Sequence, residues 1–170
     1  MLNAFEPLFA VAKSNPEIAA AAVFALAFGE SLAFMSLIFP ATVALVGFGA
    51  LIGAGKLPFW PIWLFAFIGA ALGDWLSFWL GRRFREAIWR LWPLSRHPDL
   101  RERSAAFIAR WGALGVFASK FWGPLRACVP LAAGLGNVPT VAFQIANWAS
   151  AAAWAFLLLA PGAFGLEVLG

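Results

Sequence analysis

The chain has 170 residues, of which 63% are hydrophobic and only 12% charged, and its mean hydropathy is +0.84. Soluble domains carry about 25% charged residues, so this composition excludes an ordinary water-soluble enzyme and points to one compact integral membrane unit. The net charge of +4 is local: residues 82–110 hold eight arginines against Glu86, Asp99 and Glu102, while the rest of the chain has four bases and five acids.

Basic segments beside membrane spans stay in the cytoplasm, which assigns residues 82–111 to the inner side. The arginines flank apolar runs and alternate with Trp89 and Trp92, a pattern that suits an anionic lipid surface better than nucleic acid. Met1 to Asn15 has no basic run leading into the first apolar segment, so that segment is expected to be retained rather than cleaved. Cys128 has no second cysteine to pair with and reads as a small packing residue.

Residues 1–15 are expected to form a short interfacial helix or a frayed start, interrupted by Glu6, Pro7, Lys13 and Pro16. Glu17 to Phe39 is an apolar run of spanning length, marred by Gly29-Glu30-Ser31. Phe39-Pro40-Ala41-Thr42 and the glycines at 47, 49, 53 and 55 are too glycine-rich for a plain helix and too apolar for a loop in water. With the preceding turn they read as a first re-entrant hairpin. Pro58 to Gly81 is a clean 24-residue span containing Asp74 and ending at Arg82-Arg83.

From Arg82 to Trp111, apolar residues at helical spacing with arginines between them predict two amphipathic helices on the inner surface. Residues 113–136 then place Lys120, Gly123-Pro124, Arg126 and Pro130 inside an apolar run. A Lys or Arg at mid-membrane costs roughly 2.5–3.5 kcal/mol on insertion scales, and a broken helix survives there only when buried in protein or facing a wet cavity. This stretch is expected to be a second re-entrant hairpin, broken at Gly123-Pro124 and at Pro130. Pro139 to Gly162 is a second 24-residue span.

An internal repeat underlies these boundaries. Gly53-x-Gly55-x-x-Pro58 recurs as Gly134-x-Gly136-x-x-Pro139, and Gly81 as Gly162, all at an offset of 81 residues. The expected fold is an all-α membrane protein built as an inverted repeat of re-entrant hairpin plus transmembrane helix, with cytoplasmic amphipathic helices between the halves. Repeat 1 covers about 17–81, the basic connector 82–111 and repeat 2 about 112–162, together one membrane domain. Such an architecture puts a binding site at mid-membrane between the broken segments.

The candidate site residues follow from insertion cost. Arg126, with a planar fork suited to phosphate, and Lys120 are the expected binders of an anion. Glu30 and Asp74 are the acids available for proton coupling, and Asp74 could instead pair with Arg82 or Arg83. Lys56 is expected to snorkel at the outer interface. Supporting roles fall to Asn147 and Gln144 as inter-helix hydrogen bonders, to Trp122 as a cavity-lining ring, and to Arg82 and Thr42.

These residues resemble the DedA family, also called VTT or SNARE-associated membrane proteins. Its Gly-Asp-x3-Tyr-x2-Gly-Arg pattern is similar to Gly73-Asp74 through Phe78 to Gly81-Arg82, with Phe in place of Tyr. A second family pattern, Arg-Phe through Arg to Pro-x2-Ala-Gly, resembles Lys120-Phe121 through Arg126 to Pro130-Leu131-Ala132-Ala133-Gly134, and Phe143, Asn147 and Trp154 fit as well. The resemblance implies two facing re-entrant hairpins and a bacterial inner-membrane protein that moves lipid between leaflets, polyprenyl phosphate or phospholipid, with proton coupling. It matches one family acid to Glu30, places Thr42 where a second acid stands, and puts Lys120 where the first family arginine stands.

The expected function is therefore a flippase or scramblase for a phosphate-bearing lipid, with no cofactor and no bound metal. The partners expected are an anionic lipid or lipid-linked phosphate and the membrane, not nucleic acid, and self-association is compatible with the sequence. A proton-coupled carrier of a small solute or ion is the alternative. A lipid phosphatase is a further reading, because Lys-x5-Arg resembles a phosphate clamp, but His97 is the only histidine and sits in the basic loop. A scaffold for other membrane proteins is the last.

Overall fold

The computed structural model describes residues 6–38, 41–122 and 125–168, and these are helical apart from short connections. The predicted breaks at Phe39-Pro40 and Gly123-Pro124 lie outside the described residues. Among the described residues, two helices are long and apolar enough to cross a membrane. Helix α5 spans Phe59–Phe84 and α8 spans Thr140–Val168. At 1.5 Å per residue they reach about 39 Å and 44 Å, beyond the ~30 Å of bilayer hydrocarbon.

The remaining helices are shorter. α1 is Glu6–Ser14, α2 is Pro16–Ser31, α3 is Ala33–Ile38 and α4 is Thr42–Gly53. α6 is Pro98–Ser119 and α7 is Leu125–Leu135. The apolar run from Glu17 to Phe39 is thus not one span: Leu32 adopts an extended conformation and ends α2 directly after Glu30 and Ser31. α4 and α7, at 12 and 11 residues, are too short to cross.

Contacts between helices fix their directions. Gly69 abuts the Phe24 carbonyl, Gly73 the Phe28 carbonyl, and the Ser77 hydroxyl donates to the Ser31 carbonyl, so α2 and α5 run in the same direction. α5 and α8 run oppositely. Phe59 meets Phe156, Trp63 donates its indole N–H to the Ala152 carbonyl, Phe67 meets Trp148, and Phe78 stacks on Phe143 at 4.0 Å.

α7 packs against α5 at glycines. A Cβ on Gly81 would sit 2.1 Å from the Leu131 carbonyl oxygen, and one on Gly134 would sit 2.1 Å from that of Phe78. Neither backbone can yield without separating the helices, so Gly81→Ala is expected to destabilise by about 1–3 kcal/mol, the usual cost of overpacking. Gly165, with nothing within 4 Å of its Cβ position, is the control. A thermal melt of the purified protein in detergent should show a lower midpoint for Gly81→Ala and none for Gly165→Ala.

The connector differs from its prediction. α5 runs on to Phe84, and Arg85–Arg90 and Leu94–Arg96 are 3-10 turns rather than an amphipathic α-helix. Ile88, Trp89 and Leu94 are buried and the arginines exposed, but Phe84, Leu91, Trp92 and Trp111 are exposed too, so the expected apolar-in, basic-out division holds only in part. The second predicted amphipathic helix is continuous with the segment leading to Lys120. It kinks at Gly112, whose φ of 53° suits glycine.

The interior is divided. One apolar core joins α1, α2, α4, the first half of α5 and the second half of α8, including Val23, Phe48, Ile62 and Leu159. The other joins the end of α5, the connector, α6, α7 and the start of α8, including Phe78, Leu131 and Phe143. Along α2, Glu30 and Ser31 stand after Ala27 of the first core and before Ala33 of the second. Along α5, Asp74 and Ser77 stand between Ala71 and Phe78; along α8, Asn147 and Ser150 stand between Phe143 and Ala151. A buried polar layer therefore separates the two cores.

Candidate functional site

The polar layer is built from chain breaks. Glu30 and Ser31 are the last residues of α2, Thr42 is the first of α4, Lys120 follows the end of α6, and Arg126 is the second residue of α7. Asp74, like Ser77, Asn147 and Ser150 of the same layer, comes from the interior of a continuous span, and it is the charged one among them. Pro130, predicted to break the chain, instead lies inside α7. It has no N–H to offer the Arg126 carbonyl four residues earlier, so that carbonyl loses its helical partner.

Two buried ion pairs form across the layer. Arg126 Nη1 donates to Glu30 Oε1 at 3.0 Å, and Lys120 Nζ donates to Asp74 Oδ2. Glu30, Asp74, Lys120 and Arg126 are 4%, 2%, 3% and 9% exposed, so water contributes little to offsetting their charge. Thr42 donates its hydroxyl to the same Glu30 Oε1, and Lys120 Nζ reaches the Ser31 hydroxyl at 3.4 Å.

The Trp154 ring lies beneath both cations, 4.3 Å from the Arg126 guanidinium carbon and 5.7 Å from Lys120 Nζ. Desolvated contacts of this kind are worth about 2 kcal/mol. Three polar atoms of the cluster are buried without a hydrogen-bond partner: Arg126 Nη2, Glu30 Oε2 and Asp74 Oδ1. Beside Glu30 is a cavity of about 60 Å³ lined by Ala25, Leu26, Gly29, Met35 and Ala41.

A glutamate at a helix end, an aspartate within a span, and a lysine and an arginine flanking a break thus meet at one depth of a two-span apolar chain. Comparison with known families agrees: the VTT domain matches residues 39–164. The chain belongs to the VTT-domain, or DedA, family.

Among relatives, the inner membrane protein YabI of Escherichia coli K12 is 38% identical over 141 residues, covering 83% of this chain and 56% of that protein. The inner membrane proteins YghB and YohD of the same organism are 30% and 31% identical, over 82% and 75% of this chain and 64% and 65% of theirs. The chain spans little more than half the length of YabI. No solved structure matches it. Family membership and the two apolar spanning helices make this DedA protein a bacterial inner-membrane protein.

The structure brings together Glu30, Asp74, Lys120, Arg126 and Thr42 and separates other candidates from them. Asp74 pairs with Lys120, not with Arg82 or Arg83. Arg82 is exposed, donates to the Thr140 hydroxyl and lies over the Phe78 ring, away from the cluster. Trp122 is 68% exposed, so the ring at the cations is Trp154 instead. Asn147 does bridge helices, donating to the Ala71 carbonyl at 2.9 Å, while Gln144 accepts from Asn147 within α8. Lys56 is exposed and Cys128 buried, as expected.

Sequence reasoning missed Ser31 and gave Trp154 no role. The sequence signal for Ser31 was its place next to Glu30; for Trp154 it was the family pattern, which already included it.

Proposed function

We propose that this DedA-family chain moves a phosphate-bearing lipid between the leaflets of the inner membrane, as a flippase or scramblase coupled to protons. The observation that carries the reading is the half-used fork of Arg126. One guanidinium nitrogen is held by Glu30 and the other is buried without a partner, over an aromatic floor at membrane depth. A planar guanidinium offers two parallel N–H donors to a phosphate, and lipid phosphate is the anion a bilayer presents in quantity.

The four charged groups cancel, so an anion cannot be added without a compensating change. A proton on Glu30 supplies it: a neutral carboxyl releases the guanidinium, and phosphate replaces the carboxylate as its partner. Asp74 and Lys120 form a second pair of the same kind, through which Lys120 can add its charge to the phosphate site. Thr42, a neutral hydroxyl, donates to Glu30 where a second acid stands in the family pattern.

In this reading α2 with α4, and α6 with α7, are re-entrant hairpins whose tips meet in the polar layer. The common direction of α2 and α5 and the opposed directions of α5 and α8 support it. So does the internal repeat: shifting by 81 residues turns the Gly81–Leu131 contact into the Gly162–Ala50 contact, which is also present. The arginine-rich connector then lies on the cytoplasmic side.

A carrier of a small solute would use the same acids. The cavity beside Glu30 has room for about two waters and an apolar lining, which favours a lipid entering from the bilayer. In proteoliposomes, the chain is expected to accelerate transbilayer movement of a fluorescent lipid monophosphate over empty vesicles, faster at lower pH. No acceleration at any pH would overturn the proposal.

A further inference from the structure

Two apolar grooves lie on the described surface that faces lipid. One, of about 500 Å³, runs over Phe28, Leu72, Trp75, Leu76 and Trp79 and includes no member of the polar cluster. The other, of about 400 Å³, is formed on α4 by Thr42, Val43, Val46, Gly47 and Ala50. Its exposed wall is made of small side chains at Val43, Val46 and Ala50, one face of the helix, whereas the exposed faces of α5 and α8 carry Trp60, Trp75, Trp79 and Phe156.

The α4 groove differs in where it leads. Thr42 forms part of its wall and also donates to Glu30 Oε1, the oxygen that accepts from Arg126 Nη1. The small cavity at Glu30 is lined by Ala41, the residue next to Thr42 of the groove wall. Glu30 is 4% exposed, lines that cavity and has an unpartnered Oε2; Arg126 has an unpartnered Nη2. The apolar groove thus ends at a hydroxyl bonded to the Glu30 carboxylate, and that carboxylate in turn holds a buried cation with a donor to spare.

We infer that the α4 groove holds the hydrocarbon chain of the transported lipid, which enters beside Thr42 so that its phosphate reaches Arg126. The inference rests on the lipid-transport reading and adds the route. A lipid monophosphate is both long-chained and anionic, and the groove matches the first property while Arg126 matches the second. Thr42, whose hydroxyl donates to the carboxylate in the ion-paired state, becomes a donor to the phosphate once Glu30 is neutral.

The test places a photoreactive benzophenone side chain at Val46 and, as control, at Ile145, which is 68% exposed on α8. The protein is reconstituted in phosphatidylcholine vesicles containing a long-chain isoprenyl monophosphate. Crosslinking at 46 is expected to exceed that at 145 by about tenfold, and to be competed by unlabelled monophosphate but not by the matching alcohol or by inorganic phosphate. Val46→Trp, which fills the groove, should slow transport by about tenfold with an unchanged size-exclusion profile, and Ile145→Trp should not.

Equal crosslinking at both positions would mark the groove as coated by ordinary bilayer lipid, and a crosslink to another copy of the chain would mark it as a contact between copies; either overturns the inference. If the unsubstituted protein transports lipid while Val46→Trp is without effect, the groove fails and the transport reading stands. If the unsubstituted protein does not transport, the transport reading fails and with it the inference built on it.

Discussion

Arg126→Ala is expected to stop lipid movement in proteoliposomes and also to weaken the fold, whereas Arg126→Lys should keep the fold and still lose most transport. The alanine leaves Glu30 as a buried carboxylate whose remaining hydrogen-bond partner among the described residues is the Thr42 hydroxyl. Removing one partner of a buried pair costs about 3–5 kcal/mol because the remaining charge is uncompensated. Lysine restores the charge but offers a point donor in place of two parallel N–H groups, so it can neutralise Glu30 without gripping a phosphate.

Loss of transport in Arg126→Ala could reflect the weakened fold alone, and the double variant Glu30→Leu with Arg126→Met separates the two causes. Replacing a buried pair by apolar residues of similar size is often neutral for stability, so this variant should melt near the unsubstituted protein in detergent and remain inactive. Unimpaired transport by either Arg126→Lys or the double variant would remove Arg126 from the mechanism.

Glu30→Gln should do the opposite of Arg126→Ala to ligand binding. The amide resembles the protonated carboxyl in shape and lack of charge, so Arg126 is freed at every pH. Binding of an isoprenyl monophosphate in nanodiscs is expected to tighten by about tenfold near neutral pH, some 1.4 kcal/mol, and to lose the part of its pH dependence that Glu30 supplies.

The sign follows from linkage. If a proton on Glu30 favours phosphate at Arg126, then phosphate favours the proton, and binding in the unsubstituted protein strengthens as pH falls. The variant has no proton to take up and loses that slope. It should also transport poorly against a gradient, since in the proposed cycle the site is reset by return of the carboxylate to the guanidinium. A Glu30→Gln protein whose binding keeps the same pH dependence would assign the coupling to Asp74 and Lys120.

The class of the protein was legible in composition, and the two spans in their lengths. Pro58 to Gly81 and Pro139 to Gly162 lie within a few residues of α5 and α8, because a bilayer imposes a minimum length of apolar helix on any sequence that crosses it. The charged members of the buried polar cluster were legible for a related reason. A charge inside an apolar run is expensive wherever the chain goes, so Glu30, Asp74, Lys120 and Arg126 identify themselves without a structure.

Less was legible where local rules compete with packing. Pro130 reads as a breaker, yet it is carried inside α7, a helix whose opposite contacts with α5 hold it in place. Trp122 stands beside the break and reads as part of the site, yet it points outward. Neither outcome is written in the residues next to them.

The sequence alone determined that charges must be buried in a membrane and which side chains carry them, since transfer cost is a property of each residue and its immediate run. Which charge meets which was decided only by the tertiary structure: Asp74 finds Lys120 across 46 positions and Glu30 finds Arg126 across 96. Coulomb attraction depends on distance through space, and once helices far apart in the chain pack together the nearest opposite charge is not the nearest in sequence.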